Sequence, residues 1–190
     1  MTTVAIVYFS AEGHTRAMAE AFAEGVNAVE SVTAKVFRIT GEQIENGRWQ
    51  DEAVLSEVNN AEAIVIGSPT YMGGVSAQIK AFIDRAAEIW LSQGWKDKIA
   101  GGFTHSGSPS GDKQGMLLYL ATHAAQHGMV WVGQADLPDA ENSLNPLGSF
   151  LGAMGSGHAE AVSEADLKTT RRYGQRIAKA TLAWKPDNMS

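Results

Sequence analysis

The feature that most constrains this chain is a repeated change of period. Short apolar runs with strand character alternate with stretches whose apolar residues recur every three to four positions. Strand-like runs fall at residues 4–9, 33–39, 63–67, 99–104 and 129–132. Between them, Met18, Phe22, Val26 and Val29 line one helical face, Ile79, Phe82, Ile83, Ala86 and Trp90 a second, and Leu117, Leu120, Ala121 and Ala124 a third. Such stripes are what crossover helices need to cover both faces of a parallel sheet. Five units of this kind predict an open, doubly wound α/β sheet with ligands bound beyond the carboxyl ends of the strands. The loops after strands one, three and four are therefore where function is expected.

The remaining segments have simpler readings. Residues 41–51 read as a polar connection into a short second helix, and a last helix is predicted from about Ser163, as N-cap, to Trp184, stopped by Pro186. Residues 133–162 are long, glycine-rich and aperiodic, which marks a functional or a disordered loop. At 190 residues and 44% apolar composition the chain suits one domain.

Composition excludes several chemistries. There is no cysteine, which removes disulfides, thiol nucleophiles and Cys-ligated metal clusters, so electron chemistry requires an organic cofactor. A net charge of -6, without a run of Lys or Arg, argues against nucleic acid. With no apolar stretch able to span a bilayer and no basic leader, a cytoplasmic location without membrane insertion is expected. His123 and His127 have the spacing of a metal-binding helix but lack the glutamate of a metallohydrolase, so no metal is expected. Gly107-Ser108-Pro109-Ser110-Gly111 has proline where a nucleophile elbow needs serine.

Ser10-Ala11-Glu12-Gly13-His14-Thr15 joins the first strand to the first helix, where backbone N–H groups and the positive end of the helix dipole suit a phosphate. Taken alone, it also fits a simple helix cap. It is neither the G-x-G-x-x-G of dinucleotide folds nor a P-loop. After strand three, Gly67-Ser68-Pro69-Thr70-Tyr71-Met72-Gly73-Gly74 supplies an aromatic ring and a thioether suited to a flat conjugated ligand, although a plain turn would use the same residues. After strand four comes another small-residue loop, His105-Ser106-Gly107-Ser108-Pro109-Ser110-Gly111-Asp112.

These loops, with the run Ile89-Trp90-Leu91-Ser92-Gln93-Gly94-Trp95 and the segment Gln126-His127-Gly128-Met129, resemble the flavodoxin-like NAD(P)H:quinone oxidoreductases related to tryptophan-repressor-binding protein. The resemblance implies a flavodoxin-like three-layer sandwich with a five-stranded parallel sheet in the order 2-1-3-4-5. It would be built from residues 1–185, with loop 133–162 near the site and residues 186–190 as a tail. It further implies FMN as cofactor, NADH or NADPH as co-substrate, ping-pong hydride transfer to a quinone-type acceptor, and a homodimer or homotetramer. On this reading Ser10, Ala11, Gly13, His14 and Thr15 wrap the FMN phosphate, and Glu12 belongs to the same cofactor-binding loop. Pro69, Thr70, Tyr71, Met72 and Gly73 border one side of the isoalloxazine, and Ser106, Gly107, Ser108, Pro109 and Ser110 the other. His127 would reach the site from a neighbouring loop or subunit, and Trp90 would wall the substrate pocket, though each also fits a purely structural place on its helix. No side chain need act as an obligate acid or base; Tyr71 or His127 could donate a hydrogen bond to the acceptor. Glu12 stands where many relatives carry an aromatic residue, and Pro109 and Ser110 where relatives carry glycine. A flavodoxin-type carrier shuttling single electrons between proteins is the alternative that the same fold allows.

Overall fold

The structure, a computed structural model, describes residues 1–158 and 161–184. The elements run β1 (Thr2–Tyr8), α1 (His14–Asn27), β2 (Val32–Arg38), a 3-10 turn (Gly41–Gln43), β3 (Ile44–Glu45), β4 (Arg48–Trp49), α2 (Glu52–Asn59), β5 (Ala63–Pro69), α3 (Ala77–Arg85), α4 (Ala87–Leu91), β6 (Ile99–Ser106), α5 (Lys113–Gln126), β7 (Val130–Trp131), β8 (Ala153–Ser156) and α6 (Glu164–Ala183). The main sheet is ordered β2-β1-β5-β6, with β7 and β8 both beside β6, and every pairing in it is parallel. This is the expected 2-1-3-4-5 order, with one modification at the outer edge.

The fifth position is shared. β7 pairs with Ile99 and Ala100 at the start of β6, the chain then leaves the sheet, and β8 returns to pair with Phe103 to Ser106. The aperiodic loop expected over 133–162 thus contains a strand. It escaped the pattern because Ala153-Met154-Gly155-Ser156 is short and mostly small, whereas strand signals rest on branched and aromatic residues. Smallness is required at this return: a Cβ on Gly152 would lie 2.2 Å from the Gly102 carbonyl oxygen.

Alternation along the strands sends side chains to two cores. Val4, Ile6 and Tyr8 face α1 and α6 with Met18, Phe22, Tyr173 and Ile177, while Ala5 and Val7 face α2, α3 and α5 with Leu55, Ile79, Phe82, Met116 and Leu120. Burial of each large apolar side chain here is worth roughly 1.5–3 kcal/mol. The 41–51 segment is more than a connection, because β3 and β4 form a small antiparallel hairpin that buries Trp49 edge-on against Phe82, ring centroids 5.2 Å apart. Asp51 caps α2 by accepting the Val54 N–H, and Ser163 caps α6 by accepting that of Asp166. Pro186 and the 186–190 tail lie outside the described residues.

The second helical stripe is interrupted. α3 ends at Arg85, α4 restarts at Ala87, and the turn between them carries Trp90 off the core face, leaving it 43% exposed.

Candidate functional site

Three loops leave the carboxyl edge of the sheet and enclose one cleft of about 270 Å³, lined by residues of the 10–15, 69–71, 105–107 and 157–158 segments. The first loop has the form of an anion cradle. Gly13 takes φ +99°, a conformation open to glycine, and a Cβ there would meet no atom within 4 Å: it would project into the open loop. The Gly13 N–H donates to Ser10 Oγ at 3.0 Å, which leaves the Ser10 hydroxyl proton free to be donated. Arg38 holds the loop from β2 by donating to the Ser10 carbonyl at 3.0 Å. Ser10 and Thr15 are buried, and α1 begins at His14, so its unpaired N–H groups face this loop. A phosphate group fits the residues present.

The second loop forms a wall. Thr70 is fixed by its N–H to the His105 carbonyl, 2.9 Å, and by its hydroxyl to that of Thr104, 2.7 Å. Tyr71 and Gly74 exchange backbone hydrogen bonds around a tight turn in which Met72 and Gly73 both have positive φ, so Tyr71 stands half-exposed over the cleft. Burial, then the nearby Glu12 carboxylate, push the Tyr71 hydroxyl pKa above its ordinary value, which keeps it a donor.

The third loop is shaped by a lysine. Lys113 is fully buried and directs its ammonium to Ser106 Oγ at 2.8 Å and to the Ser108 and Pro109 carbonyls at 2.9 Å. Burial lowers its pKa, while Asp166 opposes that shift. All three ammonium protons are therefore spent on the loop.

Of the residues expected here, Ser10, Ala11, Glu12, His14, Thr15, Pro69, Thr70, Tyr71, Ser106 and Gly107 line the cleft, and Gly13 shapes its cradle. Met72 projects fully into solvent at the turn tip. Gly73, Pro109 and Ser110 border an adjoining hollow with Leu147 and Met154, and Ser108 contributes its carbonyl to Lys113. Within one chain, His127 and Trp90 do not join the cleft; they line a separate hollow of about 450 Å³ between α3, α4 and α5. The 14-residue α5 separates its two ends by about 20 Å, and His127 follows the far end. His127 is buried there, its ring tilted on Trp95 with centroids 4.6 Å apart.

Three contributors were not assigned from sequence: His105, Lys113 and His158. His105 is the last buried residue of β6, and a histidine ending an apolar run was the available signal. His158 comes from the 133–162 segment, whose placement near the site was expected without naming a residue.

An open parallel sheet in this order, with an anion cradle after its first strand, defines the flavodoxin-like class. The chain belongs to the NADPH-dependent FMN reductase family, whose profile matches residues 2–141. It is 36% identical to "Flavodoxin FldP" of Pseudomonas aeruginosa over 94% of this chain and 96% of that protein. To an NAD(P)H dehydrogenase (quinone) of Solidesulfovibrio magneticus it is 32% identical over 94% and 97%. Among solved structures it resembles a flavodoxin, WrbA-like protein from Agrobacterium tumefaciens with TM-score 0.76 and 35% identity, covering 97% of this chain and 100% of that one. Among the described residues, no helix is long and apolar enough to cross a membrane.

Proposed function

We propose that this chain is an FMN-dependent NAD(P)H:quinone oxidoreductase. The observation that carries the reading is the convergence on one cleft of the 10–15 cradle, the Pro69–Tyr71 wall and the Ser106–Gly107 loop. Residues 1–185 then act as one FMN-binding domain. FMN, when bound, would supply the two-electron hydride chemistry that links a nicotinamide to a quinone. The chain's own work is binding and orientation. Backbone N–H groups after Gly13, with the Ser10 and Thr15 hydroxyls, hold the phosphate. Tyr71 walls the ring side and offers its hydroxyl proton to an acceptor oxygen. Lys113 keeps the 106–110 loop in register by fixing its carbonyls. His127 and Trp90 take part where a second copy lays its hollow over the cleft, in a homodimer or homotetramer.

The test is a steady-state assay of the FMN-loaded chain with NADH and NADPH and either benzoquinone or menadione. Quinone-dependent oxidation of at least one nicotinamide is expected; oxidation of neither overturns the reading. The identity to "Flavodoxin FldP" and the acidic net charge favour a second reading, a carrier that docks protein partners. A carrier would be reduced by dithionite in two resolved one-electron steps and would react poorly with free nicotinamide.

A further inference from the structure

The cleft carries three imidazoles besides its backbone cradle. His14 opens α1, His105 is the next-to-last residue of β6, and His158 follows β8; all three line the cleft. The His14 and His105 rings stack in parallel, centroids 4.5 Å apart and planes 3° from coincident. The His158 ring lies against Gly107, so closely that a Cβ there would come within 2.0 Å of its Cε1. Three imidazoles from three separate elements therefore meet beside a loop built for an anion.

Burial keeps His105 neutral until an anion arrives. His105 is 5% exposed, and burial first, then His14, Lys113 and His158, push its pKa down to about 4. Two cationic rings stacked face to face would repel. Other charged groups also face the cleft. On the β1–α1 loop the exposed Glu12 carboxylate lies 3.9 Å from His14 Nδ1. From β2, Arg38 is engaged with the Ser10 carbonyl, and from α5, Lys113 is engaged with the 106–110 loop. From α6, Asp166 accepts the Ser156 N–H, and burial pushes its carboxyl pKa up. On the opposite wall, Tyr71 remains a neutral phenol.

We propose that His14, His105 and His158 form a proton-coupled phosphate clamp, which selects 5′-phosphorylated flavin over riboflavin by taking up a proton from solvent as the phosphate enters. The inference rests on the FMN reading above. Its chemistry is simple: a phosphate monoester with second pKa of about 6 is a dianion at pH 7.5, and a nearby anion favours the imidazolium form. Bare backbone cradles and hydroxyls would bind the same phosphate without proton exchange.

The experiment is calorimetric titration of the flavin-free full-length chain with FMN at pH 7.5, in phosphate-free buffers of different ionisation enthalpy. Uptake of about one proton per FMN is expected, and with it an affinity that weakens about tenfold per pH unit up to pH 8.5. Riboflavin should bind with buffer-independent heat. His105→Gln should lower the uptake; should that variant fail to fold, His158→Gln, at an exposed position, should lower it as well. Buffer-independent heat with FMN, equal uptake with riboflavin, or unchanged uptake in the folded variants overturns the clamp while leaving the FMN reading intact. Failure to bind FMN in any buffer overturns both.

Discussion

The two histidine-lined hollows at opposite ends of α5 contain the same chemistry in different surroundings. At the sheet edge, His105 stacks on His14 and opens onto a cleft with an anion cradle. At the other end, His123 and His127 meet edge to face at 4.6 Å and pack on Trp95, with His123 Nε2 and His127 Nδ1 buried without a hydrogen-bond partner. Burial holds His105 and His123 alike at about pKa 4. Equal protonation thus conceals unequal readiness: the edge offers a place for an anion, and the far hollow offers an aromatic wall. Titration behaviour alone does not identify a site; what the group faces does.

The largest expected effect lies at Trp95. Its indole is fully buried, donates to Asn59 Oδ1 at 2.7 Å and stacks against Phe82 as well as His127. Truncating a buried Trp to Ala removes about 3–5 kcal/mol of stability. Trp95→Ala should lose that amount in denaturant unfolding of the flavin-free chain, because the indole lies wholly within the core on the α2, α3 and α5 side of the sheet. If the two hollows are independent, FMN affinity should change less than about threefold once the protein is folded. A parallel loss of FMN binding would show that they communicate, through α5 or between subunits.

Acid titration sharpens the contrast next. An unfolded histidine titrates near 6.5, whereas folded His105 and His123 titrate at about 4. Between those values the unfolded chain binds protons that the folded chain does not, so stability falls as pH falls. Each residue contributes about 1.4 kcal/mol per pH unit over that window, or about 3 kcal/mol by pH 4. FMN should blunt the His105 share by supplying an anion, and leave the His123 share in place. Urea unfolding at pH 7 and pH 4.5, with and without FMN, and with His123→Gln as the control, measures each part. An acid loss that FMN leaves unchanged would contradict the difference drawn between the hollows.

How legible each region was follows from the kind of signal it carries. Strands β1, β5 and β6 are long and mostly buried, β2 carries an apolar run, and helix α1 has a clean stripe, so periodicity located them and the sheet-edge loops with them. β8 was hidden because a strand of small residues has no apolar alternation. Trp90 was ambiguous because periodicity assumes an unbroken helix, and the break at Ala86 is a tertiary matter. Gly13 and Ser10 could be read from local turn and cap chemistry. Lys113 and His158 could not, since a lysine at a helix start reads as solvated and a lone histidine in a loop has no period. Both acquire meaning only when the fold brings the 106–110 loop and the end of β8 together.

The smallest expected effect lies at Glu12, on the first loop of the cleft. Its side chain is 82% exposed at the cleft mouth, and its carboxylate is 3.9 Å from His14 Nδ1. An exposed charge at such a position is screened by solvent and salt, so its influence on a ligand is slight and falls with ionic strength. Its sign is nevertheless clear: a carboxylate at the mouth disfavours the more anionic of two nicotinamides. Glu12→Gln should therefore lower the KM for NADPH more than that for NADH, by about two- to threefold at 20 mM salt and by less at 300 mM, with kcat unchanged. Equal changes for the two nicotinamides, or a change that persists at high salt, would mean that Glu12 acts through contact or through its His14 neighbour rather than through its charge.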